Sequence, residues 1–542
     1  MEYSSKIMDH HGIVAGVCNE IGLVDIIDSI IVPNEQQKVT TGESVMAMVI
    51  NSLGFVSKPL YLFPDFMRNK PVHLFFDRDL QPEDFNDDTL GRALDRIYVN
   101  DPTNIFMQIA MKVAKMENIK RNFFHLDTST MSVHGKYFQD DEDTIAIEIT
   151  HGFSKDKRFD LKQFIISLIT VSESDLPMWV DALSGNVSDK EHFREVIRNY
   201  AKMLAETNEK AYFIMDSAMY NEKSILEMSP LAYWISRVPE TMKETKEVLI
   251  QTEQEQMIKS SLDGYSYLLT DSDYAGVDQQ WLVIYSEKAF EREIKTFEKS
   301  IKKEETKIEK QLWHLGNEEF DCESDAVKEL EKVQKKWKYH RMSGYDIIEK
   351  KRTGKRGRPK KGSEKVRIKY QLKAQFEKDT GRIDLERKRK GKFILATNSF
   401  EIEPDDILKE YKNQQGVERG FRFLKDPLFF TDAIFLKEPR RIVSLVMIMA
   451  LSLLVYSLAQ RKLRNVLKRL KETLPDQKGK PTDHPTMRWV FQQFQGIHVL
   501  EIRDGQHYEE QILNLRDRNT KVLRLLGEPY EKIYFLEEGC GK

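Results

Sequence analysis

The stretches Asn122-Phe-Phe-His-Leu-Asp127-Thr-Ser-Thr130 and Ala211-Tyr-Phe-Ile-Met-Asp216-Ser-Ala-Met-Tyr220 share one pattern. Each is a short apolar and aromatic run that ends in an aspartate followed by small residues. That is the look of a buried strand delivering an acid to the C-terminal edge of a sheet, where open α/β sheets place their chemistry. A single aspartate at such a point also serves as a cap for the following turn; two at matching positions favour a site. Between them, Asp160-Leu-Lys-Gln-Phe-Ile-Ile-Ser-Leu-Ile-Thr-Val171 and Leu176-Pro-Met-Trp-Val-Asp-Ala-Leu183 read as paired strands joined by a turn at 172–175, and 189–204 reads as a helix. The order is strand, strand, strand, helix, strand. Asp160 and Asp181 are rival acids, the first at the wrong end of its strand and the second inside one.

A third acid lies much further along, in Tyr411-Lys-Asn-Gln-Gln-Gly-Val-Glu418-Arg-Gly-Phe-Arg422-Phe-Leu-Lys425. Read as one continuous helix, this segment puts Tyr411, Gln414, Glu418, Arg422 and Lys425 three and four residues apart on a single face. The cations and polar groups suit phosphates, and the carboxylate suits a metal ion. Three carboxylates are what a two-metal phosphoryl-transfer site requires, with two divalent ions about 3.5–4 Å apart clamping the attacking and leaving oxygens. Oxygen ligands without a Cys or His cluster point to Mg²⁺, with Mn²⁺ as the second choice. A solvated amphipathic helix would show the same spacing.

The succession Asp127, Asp216, Glu418 resembles the Asp-Asp-Glu triad of bacterial insertion-sequence transposases with a ribonuclease-H-like core. The helix is similar to the Tyr-x2-Arg-x3-Glu-x6-Lys signature of one large group of them: Tyr411, Glu418 and Lys425 match, while Gln414 stands where the group has Arg. Gly416 and Gly420 also depart from the usual pattern, since each costs up to about 1 kcal/mol in a helix. The segments His11-Gly-Ile-Val-Ala-Gly-Val-Cys18, residues 51–64 and Asn86-Asp-Asp-Thr-Leu-Gly-Arg92 resemble the helical domain that precedes this core in such proteins, as do His151-Gly-Phe-Ser-Lys-Asp-Lys-Arg158 and Ala182-Leu-Ser-Gly-Asn186. The resemblance implies an α/β multi-domain chain, a ribonuclease-H-like mixed sheet flanked by helices. It implies that Asp127, Asp216 and Glu418 are catalytic metal ligands and that Tyr411 and Lys425 contact DNA near the cleaved end. Partners would be the terminal inverted repeats and target DNA, engaged by a homodimer. Water activated at the triad would cut the phosphodiester, and the freed 3′-hydroxyl would attack target DNA. A metal-dependent nuclease without strand transfer, or a non-catalytic DNA-binding derivative, would carry much the same sequence.

The chain has 542 residues with a net charge of −3, so several domains are expected. Bulk charge does not announce a nucleic-acid partner, but its distribution does. Residues 350–392 hold 19 Lys and Arg against 5 Asp and Glu, a surplus of 19 − 5 = +14. Within them, Gly357-Arg-Pro359 is flanked by basic residues and resembles a minor-groove hook, so Arg356, Arg358 and Lys360 are candidate DNA contacts. A solvated basic loop is the plainer reading. The 216–418 interval is too long for a crossover and predicts an insertion. It has strands near 265–270 and 280–285, then an apolar seam at Phe290, Ile294, Phe297, Ile301, Ile308 and Leu312. A second seam follows at 326–337, giving a helical hairpin. Gly391-Lys-Phe-Ile-Leu-Ala-Thr397 returns the chain to a strand. The expected divisions are a helical DNA-binding domain at 1–118, core at 119–245, a β-plus-helical-hairpin insertion at 246–390, core again at 391–460 and a C-terminal subdomain at 461–542.

Residues 442–459 are apolar nearly all round, at the lower edge of a membrane span. Three serines and dense Arg and Lys at both ends instead predict a core helix and no membrane partner. Cys18, Cys322 and Cys540 are far apart and fit no metal pattern; with no signal-peptide pattern at the start, they suit a cytoplasmic protein. His125, two residues before Asp127, reads as a core histidine. Arg237 after a strand near 234 is a surface residue or a DNA contact.

Overall fold

The computed structural model describes residues 2–536 apart from 56–57, 77, 121, 136, 138–146, 173, 206–209, 354–365, 427–435 and 506. Arg356, Arg358, Lys360 and Cys540 lie outside the described residues. Contacts divide the chain into two compact units, Met1–Ile235 with Glu410–Lys542, and Ser236–Lys409.

The first unit is built on a mixed sheet. Its strands lie side by side in the order Pro177–Ser184, Lys162–Val171, Phe123–Val133, Tyr212–Met215, Tyr233–Arg237. The first three run antiparallel to one another in turn, and Tyr212–Met215 runs parallel to Phe123–Val133. Numbered along the chain this is 3-2-1-4-5, the ribonuclease-H-like arrangement. Nearly every residue of Lys162–Val171 is buried, as a strand covered on both faces requires.

The apolar run expected at 442–459 belongs to a longer helix, Pro439–Leu470. The basic stretch after residue 460 continues that helix rather than starting another. By length and composition it is able to cross a membrane, yet 78% of its most apolar window is buried inside this unit. Two of its three serines in the apolar run have partners within the protein: Ser444 Oγ donates to Leu94 O at 2.7 Å, and Ser452 Oγ meets Ser52 Oγ at 2.6 Å. Arg441 forks onto Asp95 at 2.9 and 2.8 Å, the bidentate geometry in which a guanidinium pairs best.

These contacts tie the N-terminal helices to the same core. Their ends follow ordinary rules. Thr40 and Glu43 form a reciprocal capping box at the start of Thr41–Ser52, and Asn86 caps Asp87–Val99. The chain's first strand, Glu2–Ile7, pairs antiparallel with His498–Asp504, which in turn pairs with His507–Leu513. Both ends of the sequence thus share one small sheet.

In the second unit, Lys392–Thr397 pairs with Gln279–Ser286, which pairs with Tyr265–Ser272. Two helices, Glu287–Asn317 and Glu323–Gln334, follow the predicted seams. A long antiparallel ribbon was not foreseen. His340–Thr353 pairs with Val366–Lys378, the last pair being Thr353 with Val366. The helices bury Leu315, Ala326 and Leu330 against Leu372 of that ribbon, so the seams serve packing within the unit. Arg237 pairs with Glu240 at 2.6 Å and lies over the Phe393 ring at 5.3 Å.

Candidate active site

Strand register decides which acids share a face. His125 is paired with Ile214 across the parallel strands. Asp127 and Asp216 each stand two residues further on, so both project from the face that carries His125 and Ile214. Asp127 is not at the end of its own strand, which runs on to Val133; it is the parallel neighbour that stops, at Met215, and opens the edge there. Asp216 caps the short turn Ser217–Met219 and accepts from Ser217 N–H. Asp127 Oδ1 accepts from Thr128 N–H at 2.7 Å.

The rival acids turn elsewhere. Asp181 is opposite Ser167, whereas Asp127 is opposite Leu168, so Asp181 lies on the other face. It accepts from Ala182 N–H at 2.9 Å and Thr103 Oγ1 at 3.4 Å. Asp160 is exposed and forked by Arg158 at 2.9 and 2.8 Å. Burial pushes Asp181 up to about 7, above its value of about 3.9 in an unfolded chain. The folded state therefore binds more protons between those values, and stability falls as pH rises through that window. Asp181→Asn should gain roughly 1–2 kcal/mol over the parent near pH 8 and nothing near pH 4. Urea unfolding at the two pH values checks this; an equal difference at both would refute it.

The third acid arrives on a separate helix. Instead of one helix spanning 411–425, the chain forms Pro404–Lys412, turns at residues 413–414, and restarts as Gln415–Leu424. Tyr411 is therefore not on the Glu418 helix, and Gln414 sits at its cap. The new helix buries Val417, Phe421 and Leu424 and leaves Glu418 and Arg422 exposed.

The two glycines that looked out of place explain how closely the helix is seated. A Cβ on Gly420 would lie 3.1 Å from Leu168 Cδ2 and 3.2 Å from Leu453 Cδ2. Leu168 is the cross-strand partner of Asp127, so the Glu418 helix lies on the face from which Asp127 and Asp216 project. A Cβ on Gly416 would lie 2.3 Å from Asp175 Oδ1. Asp175 also pairs with Arg419 at 2.6 Å, which pins the start of the helix to the 172–175 turn.

Lys155 completes the surroundings. It lies in the His151–Arg158 segment, where no role had been foreseen for it. Its ammonium is 3.4 Å from Asp127 Oδ1 and donates to Thr128 O at 2.6 Å and Thr128 Oγ1 at 3.0 Å. The next residue, Asp156, pairs with Lys425 at 2.7 Å. Solvent reaches 43% of the Asp127 side chain. Its carboxyl is still held above the usual range by desolvation in its recess, opposed by Lys155 and the Thr128 N–H, with Asp216 adding repulsion. His125 is buried, both its ring nitrogens lack hydrogen-bond partners among the described residues, and burial pushes it down to about 4. It is a neutral core histidine.

Two neighbouring carboxylates, with a third carried on the helix packed over the same face, offer hard, anionic oxygens, and the Lys155 ammonium already sits against Asp127 as a cation. That donor chemistry fits divalent ions. Among the described residues the three acids do not all close to within 4.8 Å of one another. The exposed side chains of Glu418 and Arg422 make no hydrogen bond or ion pair among the described residues, so both are available to a ligand.

Two family models match the chain. Residues 120–455 match the family model described as a transposase DDE domain. Residues 3–111 match one described as a domain of unknown function (DUF4277). No curated protein matches significantly. Among solved structures, a cryo-EM structure of the piggyBac transposase synaptic complex with hairpin DNA aligns over 100% of this chain and 86% of that one. At 9% identity and a TM-score of 0.36, that likeness carries no weight here. The DDE model spans most of the chain, including all three acids, and the chain belongs to the DDE transposase family, DNA-cleaving and DNA-joining enzymes that work with divalent metal ions.

Proposed function

We propose that this transposase cleaves the ends of its element and joins them to target DNA at one site built from Asp127, Asp216 and Glu418. The observation that carries this reading is the shared face: two aspartates in register on parallel strands, and a helix bearing a free glutamate packed onto the same side. These three side chains would hold divalent ions, Mg²⁺ before Mn²⁺ because every donor is a hard oxygen. When bound, the ions activate water and offset the charge that builds on the phosphodiester.

The protein's own groups do the rest. Arg422, one turn after Glu418, would grip a phosphate oxygen. Lys425 would exchange its pairing with Asp156 for a phosphate. Tyr411 and Gln414, at the break before the helix, would orient the DNA strand. Lys155 would neutralise Asp127 until ions enter. Arg356, Arg358 and Lys360, in the most basic part of the sequence, would contact the DNA backbone or minor groove. The helical region at 1–118 would bind the terminal inverted repeats, with two copies of the chain bridging two ends in the cytoplasm, on the nucleoid.

The test uses a pre-cleaved element end and a supercoiled target with Mg²⁺. Joined product is expected, and its formation should require Glu418. Nicking of the target without joined product would reduce the protein to a nuclease. End binding with neither activity would make it a DNA-binding derivative.

A further inference from the structure

A group of potential metal ligands lies apart from the three acids. We propose that His73, Glu501 and Glu510 form a Zn²⁺ site that fastens the N-terminal helical region to the C-terminal hairpin. The three residues offer one imidazole nitrogen and two carboxylate oxygens, all within 4.8 Å of one another. Among the described residues they are the only such group.

The arrangement follows from register. Glu501 and Glu510 are direct cross-strand partners in the His498–Asp504 and His507–Leu513 hairpin, so their side chains leave the same face. Like charges directly opposite one another destabilise a strand pair. His73, on the short helix Val72–Phe75, reaches that face and sets Nε2 2.7 Å from Glu510 Oε1. Tyr508 Oη donates to the same Glu510 oxygen. The needs of Glu510 are thus met twice over. Glu501 has none of this. It is 9% exposed, and among the described residues it makes no hydrogen bond or ion pair. Its carboxylate stands beside the like charge of Glu510 with no donor of its own, a repulsion that a bound cation would offset.

The donor set selects the ion. Nitrogen with two carboxylate oxygens suits Zn²⁺, which takes His at about 2.0–2.1 Å and carboxylates at about 2.0–2.2 Å. Tetrahedral ligands at those lengths stand roughly 3.3–3.6 Å apart, so small side-chain rotations close the group. Three protein ligands leave a fourth position for water. Mg²⁺ would favour the all-oxygen triad instead. The site would join residue 73 to strands more than 400 residues later and would add to the sheet that already pairs Glu2–Ile7 with His498–Asp504.

The test uses the full chain carrying Asp127→Asn and Glu418→Gln, so that the triad does not compete for the metal. Equilibrium dialysis against Zn²⁺ should give one ion per chain, with a Zn²⁺-dependent rise in Tm. Adding His73→Ala or Glu501→Gln should weaken binding by roughly 10–100-fold or more, since losses of that size follow even from changes to residues that only support metal ligands. The two variants should also lose the rise in Tm. His73 is 42% exposed at its side chain, and Glu501→Gln keeps its volume, so both should fold. No bound Zn²⁺ in the parent would overturn the proposal, leaving His73 and Glu510 as a plain ion pair. Undiminished binding in both variants would overturn it equally.

Discussion

Asparagine in place of Asp127 is expected to reduce end cleavage by at least about 10³-fold while leaving binding to the element end within a few-fold of the parent. The size follows from the several kcal/mol that bound ions contribute to phosphoryl transfer, at about 1.4 kcal/mol for each factor of ten. The change is nearly isosteric. Asparagine can still accept the Thr128 N–H bond that Asp127 accepts at 2.7 Å, so the strand should keep its shape. It also removes one of two neighbouring negative charges and the partner of Lys155. Parallel assays of cleavage and of end binding separate catalysis from folding. Cleavage within tenfold of the parent would show that the site lies elsewhere.

Gly152→Ala is expected to disrupt the loop beside the site strongly for a single added methyl group. Its Cβ would lie 2.0 Å from the backbone oxygen of Gly185 and 2.7 Å from Gln163 Nε2, and backbone cannot swing aside. Around that contact, Thr150 and Gln163 exchange backbone hydrogen bonds at 3.2 and 2.9 Å, and Gln163 Nε2 donates to Gly185 O at 2.8 Å. Forcing a methyl into such packing costs about 1–3 kcal/mol. The loop that must move carries Lys155 and Asp156, the partners of Asp127 and Lys425. A displacement of about 1 Å there is enough to cost roughly 10²-fold in rate. The variant should therefore lose more cleavage than its shift in urea midpoint explains. A loss of stability with cleavage unchanged would detach this loop from the active site.

The sequence revealed the acids more readily than their setting. Asp127 and Asp216 were legible because a buried strand has a local signature, and the acids break it at matching points. The pairing of His125 with Ile214 that puts them on one face was not local, and it needed the fold. Glu418 was legible as a helical acid, but the restart of the helix at Gln415 was hidden. Residues 411–425 carry an unbroken helical spacing, yet the chain divides at 413–414 and seats the second helix against Asp175 and Leu168. The same close seating gives Gly416 and Gly420 a packing reason to lack side chains.

Lys155 gave no signal of its own, since a lysine in a charged loop is usually solvated. Its role depends on backbone contacts between residues 150–152 and strands at 163 and 185. The ribbon at His340–Thr353 and Val366–Lys378 escaped notice because its charged, two-sided strands lack the apolar alternation by which strands are read. The pairing of Glu2–Ile7 with His498–Asp504 joins the two ends of the chain, beyond the reach of any local pattern.

The most direct test of the triad is anomalous scattering from crystals of the protein with an element-end DNA and Mn²⁺. Manganese peaks are expected about 2.1–2.3 Å from oxygens of Asp127, Asp216 and Glu418, with Glu418 and at least one aspartate serving the same ion pair. Manganese bound by other residues, or Glu418 more than about 8 Å from every manganese in the DNA complex, would contradict the account.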